Sequence, residues 1–200
     1  SNYYLTLPAF RELEDRFSRL EATPEVVNMM AMLKIVLAYK TFKMTDIFGD
    51  MPFTYAGYGY QDLEYLQPAF DSQESIYKTL LEELRWCDEN IDVTATSEEP
   101  FITFSGFDAL FSGDMLKWQK FANSMRLRYA LRMSEKEPVL GGQIILQIMT
   151  DGRPVFLGYD FLTYLGESAS IWPSAMGFRN ESLNWSFREH ENLRMGSNIR

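Results

Sequence analysis

Hydrophobic residues recur along the first three-quarters of this chain with the 3.6-residue period of helices that bury one face. Phe10, Leu13, Phe17 and Leu20 predict a short helix from Pro8 to Ala22. Thr23, Pro24 and Glu25 then signal a fresh start: Thr accepts from exposed amides, Pro suits the first turn, and Glu faces the positive end of the dipole. From Pro24 to Phe48 apolar side chains occupy much of the circumference, which predicts a central helix touched by several neighbours. Gly49 is placed to cap it and Pro52 prevents resumption. Asp71 and Glu74 have capping-box spacing and open a helix to about Ile91. Thr94 to Ser112 reads as a loop with a brief extended stretch at Phe101–Phe104. In the run GDMLKWQKFANSMRLRYALRMS, residues 113–134, Trp118, Phe121, Ala122, Met125, Tyr129 and Met133 fall in one arc roughly 120° wide, a core-facing stripe. Arg126, Arg128 and Arg132 flank that stripe, where long stems can lie on apolar surface with the charges in water. A shorter helix follows from Pro138 to Met149.

Two segments depart from the helical period. Residues 50–70 form an aromatic connection with Phe53, Tyr55, Tyr58, Tyr60, Tyr65 and Phe70 among Gly57, Gly59 and Pro68. Residues 151–200 are broken by Gly152, Gly158, Gly166, Gly177, Gly196, Pro154 and Pro173. They carry Phe156, Tyr159, Phe161, Tyr164, Trp172, Phe178, Trp185 and Phe187, and are expected to form long ordered loops. The reading is an all-α domain: a helical core over 1–150 and a loop-rich portion of the same domain over 151–200.

Composition narrows the functions. With 46% hydrophobic residues in 200, the chain can bury a core, and its net charge of −9 argues against a nucleic-acid partner. Its most apolar stretch, Val26 to Phe48, is interrupted by Asn28, Lys34, Lys40, Lys43 and Asp46, short of a membrane span. Cys87, the one cysteine, shares a helical face with Ile76, Leu80, Leu84 and Ile91 and has acidic neighbours, so it reads as a small buried hydrophobe. His190, the one histidine, lies in the charged run Arg188–Glu191 and reads as a solvated or surface-paired imidazole, which leaves no multi-histidine metal site. No nucleophile elbow or phosphate loop is present, and Gly57-Tyr58-Gly59 lacks a dinucleotide motif's third glycine. Asp46 with Asp50, or Glu98 with Glu99, are conceivable carboxylate pairs, but the first two read more simply as a helix-end acid and a turn residue than as a calcium or hydrolytic site. The expectation is a protein that is not an enzyme and carries no cofactor or metal.

The 113–134 run and the upstream LAYKTFKMTDIFGDMPF, residues 37–53, resemble in order and pattern the SusD/RagB family of bacterial outer-membrane nutrient-binding lipoproteins. The resemblance implies tetratricopeptide-like helical pairs within a larger loop-rich body, although no repeat of about 34 residues is evident in the sequence. It also implies a cell-surface location, an N-terminal lipid anchor outside this chain, a SusC-like TonB-dependent transporter as partner, and an oligosaccharide or peptide ligand. Full members run to several hundred residues, so this chain is expected to be part of one. A sugar stacks its C–H face on an aromatic ring while nearby polar groups bind its hydroxyls. Tyr58, Tyr60, Tyr65, Trp172, Arg179, Asn180 and Trp185 have that composition and are the candidate ligand contacts. A helical-repeat adaptor for a protein or peptide is the alternative.

Overall fold

Capping residues and apolar faces set six helices within residues 3–156, the part of the chain that the computed structural model describes. They are α1 (Tyr3–Ser18), α2 (Pro24–Phe48), α3 (Gln73–Asn90), α4 (Phe101–Ser105), α5 (Met115–Met133) and α6 (Pro138–Thr150), with a single 3-10 turn at Leu63–Leu66. No strand forms among the described residues; one antiparallel bridge joins Met51 to Asp71. The all-α expectation holds. Helix α2 is central, packing against α1, α3, α4 and α5, while α5 continues the stack to α3 and α6.

The starts and stops follow local chemistry. Thr23 accepts from the Val26 amide, and the Gly49 amide closes α2 on the Thr45 carbonyl at 2.8 Å. Before α5, Gly113 has φ 82°, and a Cβ there would stand 2.9 Å from the Ser105 Cβ, so a side chain would be strained on both counts. Asp114 then caps α5 by accepting from Lys117. The preceding turn is gathered on Asp108, which accepts from the amides of Leu110, Phe111 and Gly113 and from the Trp118 indole at 2.8 Å. Phe42 stacks on Tyr129 at 3.7 Å and Tyr77 meets both edge-on, locking α2, α3 and α5 together.

Several local expectations are corrected. Helix α1 begins at Tyr3, so Pro8 lies inside it, and the buried face is Tyr3, Leu7, Arg11 and Phe17, with Leu13 and Leu20 exposed. Lacking an amide N–H, Pro8 leaves the Tyr4 carbonyl without its i+4 helix bond, so α1 forms at the cost of one bond in its second turn. Helix α3 is capped by Ser72, since Asp71 is already engaged by the amides of Phe53 and Thr54 and the Thr54 hydroxyl. Phe101–Phe104 is helical rather than extended, with the Glu99 carboxylate accepting from the Thr103 hydroxyl. Of the α5 stripe, Trp118, Ala122, Met125, Tyr129 and Met133 are buried, but Phe121 only partly.

The largest correction concerns Arg126. It does not snorkel: it is 2% exposed and its guanidinium lies 3.4 Å from Asp88 of α3, itself buried. Asn123 and Arg153 also reach Asp88, Asn123 bonds the Pro154 carbonyl and Arg126 bonds Gln147. This network ties α3, α5 and α6 to the chain leaving α6. Arg132 does stay half in solvent, paired with Asp46 at 3.3 Å, and Arg128 is exposed over the Tyr129 ring. Cys87 is fully buried, as expected, and burial pushes its thiol far above the ordinary range. No described helix is long and apolar enough to cross a membrane.

Candidate functional site

Arg11 organises the aromatic connection after α2. From the buried face of α1 its guanidinium donates to the Phe53 carbonyl at 2.9 Å and the Ala56 carbonyl at 3.4 Å, and pairs with Glu14 at 3.3 Å. The Phe53 and Tyr58 rings cover it at 5.1 and 5.0 Å. Gly57 allows the close approach, since a Cβ there would meet Leu7 Cγ at 2.9 Å. Glu14 passes the linkage on to Lys34 of α2 at 2.6 Å, and Lys34 reaches Glu83 of α3 at 3.2 Å. Burial works against the Lys34 charge, but the two carboxylates outweigh it and raise its pKa. The connection is therefore tied through α1 to the centre of the bundle.

Three further anchors fix its ends. The Tyr4 hydroxyl donates to the Pro52 carbonyl at 3.1 Å. Asp15 accepts from the Tyr60 hydroxyl at 2.6 Å and from the Gln61 amide. The Tyr60 bond holds the Asp15 carboxyl below its usual range, while desolvation and Asp15 push the Tyr60 phenol up to about 12. Asp71 clamps Phe53 and Thr54; its burial opposes ionisation, but the Thr54 and backbone donors prevail and lower its pKa.

Between α1 and this connection lies a cleft of about 600 Å³ lined by Tyr4, Pro8, Pro52, Tyr60, Tyr65 and Pro68, with Leu66, Ala56, Gly57 and Gly59. The Tyr65 ring stacks parallel on Tyr55 at 5.2 Å, and Tyr58 lies 6.2 Å from Tyr60 and 6.4 Å from Tyr65. Tyr60 and Tyr55 are about half exposed, at 49% and 53%. Rings of fixed direction are thus presented on a braced loop, the arrangement that stacking on a sugar's apolar face requires.

The structure brings Tyr58, Tyr60 and Tyr65 together, with Tyr60 and Tyr65 in the cleft wall and Tyr58 half-buried over Arg11. Trp172, Arg179, Asn180, Trp185 and His190 lie outside the described residues. Sequence reasoning missed Tyr4, because α1 was expected to start at Pro8, and passed over the wall prolines 52 and 68. The available signal was the pair Tyr3 and Tyr4 one turn before Pro8.

Two other clefts lack these features. One, of about 490 Å³, lies among Asp46, Gln73, Glu74, Tyr77, Arg132, Lys136 and Glu137. Its carboxylates are engaged: Asp46 by the Tyr77 hydroxyl and Arg132, Glu74 and Glu137 by Lys78. The Tyr77 ring is covered by Phe42 and Tyr129. The other, about 240 Å³ among Phe10, Met32, Leu33, Val36 and Phe104, is apolar except at Asp108, which Trp118 occupies. Asp50 accepts from the Gln73 amide at 2.8 Å, a turn role. Among the described residues no group of three or more His, Cys, Asp or Glu is placed to hold a metal ion.

The model of a family described as SusD-like, starch-binding and associating with the outer membrane, matches residues 1–179. Among solved structures, a chitin-binding protein superposes with TM-score 0.62 at 27% identity, over 78% of this chain and 30% of that one. A SusD-like protein described as Bacteroidetes AC2a gives 0.57 at 32% identity, over 74% and 25%. A SusD homolog from Parabacteroides distasonis gives 0.59 at 25% identity, over 76% and 27%. The chain thus spans between a quarter and a third of the length of these structures. No curated protein matches it. With the helical layout shared by these structures and the family's pattern matched over 1–179, the chain belongs to the SusD-like family of starch-binding proteins that associate with the outer membrane.

Proposed function

We propose that this chain is the helical part of a non-catalytic, lipid-anchored glycan-binding protein on the cell surface, and that its cleft between α1 and residues 52–68 contacts the glycan. The observation that carries the reading is the braced aromatic wall: Tyr4, Tyr60 and Tyr65 line one cleft, and Arg11, Asp15 and Asp71 hold the loop that builds it. Family membership and the chitin-binding neighbour support a saccharide as the ligand class. In this reading Tyr60 and Tyr65 stack on sugar, while Tyr58 supports them from its seat on Arg11. Trp172, Arg179, Asn180 and Trp185 stay in the proposal as contacts suggested by composition. The working partner is a SusC-like TonB-dependent transporter, to which the captured oligosaccharide is delivered.

The test uses the full-length protein, titrated calorimetrically with maltohexaose and chitohexaose. Because one stacked ring contributes on the order of 1 kcal/mol, Tyr60→Ala and Tyr65→Ala each weaken binding roughly fivefold without lowering helicity. Unchanged affinity in both variants for a chain that binds the wild type places the site elsewhere. A peptide-binding adaptor is the second reading; it gains from the prolines in the wall, since aromatic grooves also receive extended proline-rich peptides.

A further inference from the structure

The charge around the cleft is one-sided. Between Lys43 and Lys78 the sequence has no Lys, Arg or His, whereas Asp46, Asp50, Asp62, Glu64, Asp71 and Glu74 are all acidic. The whole connection that builds the cleft wall falls in that interval. Of the residues lining the cleft none is cationic. The nearest guanidinium beneath it, Arg11, is 5% exposed and already spent on two backbone carbonyls, Glu14 and two aromatic faces. On α1, Arg16 is paired with Glu12 at 2.6 Å, and just past the helix end Arg19 is an exposed cation four residues from Asp15. Asp15 itself is ionised through its bonds to Tyr60 and Gln61, and Glu64 is exposed in the same turn as the wall residues Tyr65 and Leu66.

An acidic polysaccharide repeats carboxylate or sulfate groups along its length, and Arg and Lys are the side chains whose charge and donors suit such anions. This cleft offers rings, prolines and carboxylates instead. A like charge brought into such surroundings is repelled at close range, with screening beyond about 8 Å at physiological salt. We infer that the cleft selects uncharged glycans and rejects uronate-bearing or sulfated ones, by the acidic, cation-free composition of residues 44–77 around a wall of Tyr4, Tyr60 and Tyr65. The inference rests on the glycan-binding reading above and goes beyond it by naming the class.

Matched probes separate charge from shape. Maltohexaose and chitohexaose are each compared, on the full-length protein at low and high salt, with maltohexaose oxidised at C6 to the carboxylate and with fully deacetylated, cationic chitohexaose. The expected result is that a neutral chain binds, the oxidised chain binds at least about tenfold more weakly at low salt, and the gap narrows as salt rises. The cationic chain is expected to bind no more weakly at low salt than at high salt. Glu64→Lys, at an exposed position with no described side-chain bond, should recover affinity for the oxidised chain by a few-fold while leaving the neutral chain unchanged. An oxidised chain that binds as tightly as its neutral parent overturns the charge inference and leaves the glycan site standing. Absence of binding by all four probes overturns the glycan reading and this inference with it.

Discussion

Replacing Arg11 with Met keeps most of the aliphatic stem but removes the guanidinium that joins α1 to the aromatic connection. The residue is 5% exposed, so the loss is felt in a dry environment. The Phe53 carbonyl loses a 2.9 Å bond, the Ala56 carbonyl a 3.4 Å one, and Glu14 one of its two cationic neighbours, with Lys34 remaining at 2.6 Å. A hydrogen bond from a charged donor is worth about 1.5–3 kcal/mol, and each desolvated cation–π contact about 1–2 kcal/mol. These terms overlap, and Met regains some packing, so the net cost is roughly 3–4 kcal/mol. For a domain of this size that lowers Tm by about 10 °C. Arg11→Lys keeps the charge but not the planar fork that reaches two carbonyls, and is expected to lose about half as much stability. Below the transition both variants retain their helical circular dichroism, but glycan affinity drops because Tyr58 and its neighbours lose their seat. A Met variant with wild-type Tm, or one that melts early yet binds normally, refutes the bracing role.

Removing the Asp88 charge by Asp88→Asn leaves Arg126 and Arg153 without their counter-ion; thermal unfolding should show a loss of about 3–5 kcal/mol, and a loss under 1 kcal/mol contradicts the buried-pair assignment. Alkali should unfold the protein early, because burial pushes the Tyr3 phenol up to about 12, Tyr60 also rises to about 12, and burial with Asp46 raises Tyr77 further. In the unfolded chain these phenols ionise near pH 10 while the folded chain keeps its protons, so stability is full below pH 10 and falls as pH rises toward 12. Denaturant midpoints that stay constant between about pH 9 and 11.5 exclude this linkage. Cys87 should resist thiol reagents in the native protein and react on unfolding; fast native modification places it at the surface.

What could be read from the sequence was local. Thr23 before Pro24, Gly49 after Phe48 and the Trp118–Met133 stripe each act within a few residues, and each gave its helix correctly. Features decided by distant partners were not legible. Arg126 turns inward because Asp88, 38 positions upstream, waits on α3, and an angle at the edge of a stripe does not reveal that. Asp71 leaves the capping role to Ser72 because residues 53 and 54 claim its carboxylate. The tyrosines of the cleft stood out by composition, but their convergence depends on Arg11 and Asp15 of a helix whose start was misplaced. Tyr4 was not legible as a wall residue for the same reason: it lies on the turn of α1 before Pro8.

The most direct test of the central claim is a residue-resolved map of ligand binding on the full-length protein. A neutral hexasaccharide that binds calorimetrically is titrated into protein whose tyrosine rings are isotopically labelled, and ring shifts are followed by NMR. The account predicts the largest saturable shifts at Tyr4, Tyr60 and Tyr65, smaller ones at Tyr55 and Tyr58, and none at the buried Tyr3, Tyr77 and Tyr129. Saturable binding that leaves Tyr4, Tyr60 and Tyr65 unmoved contradicts it.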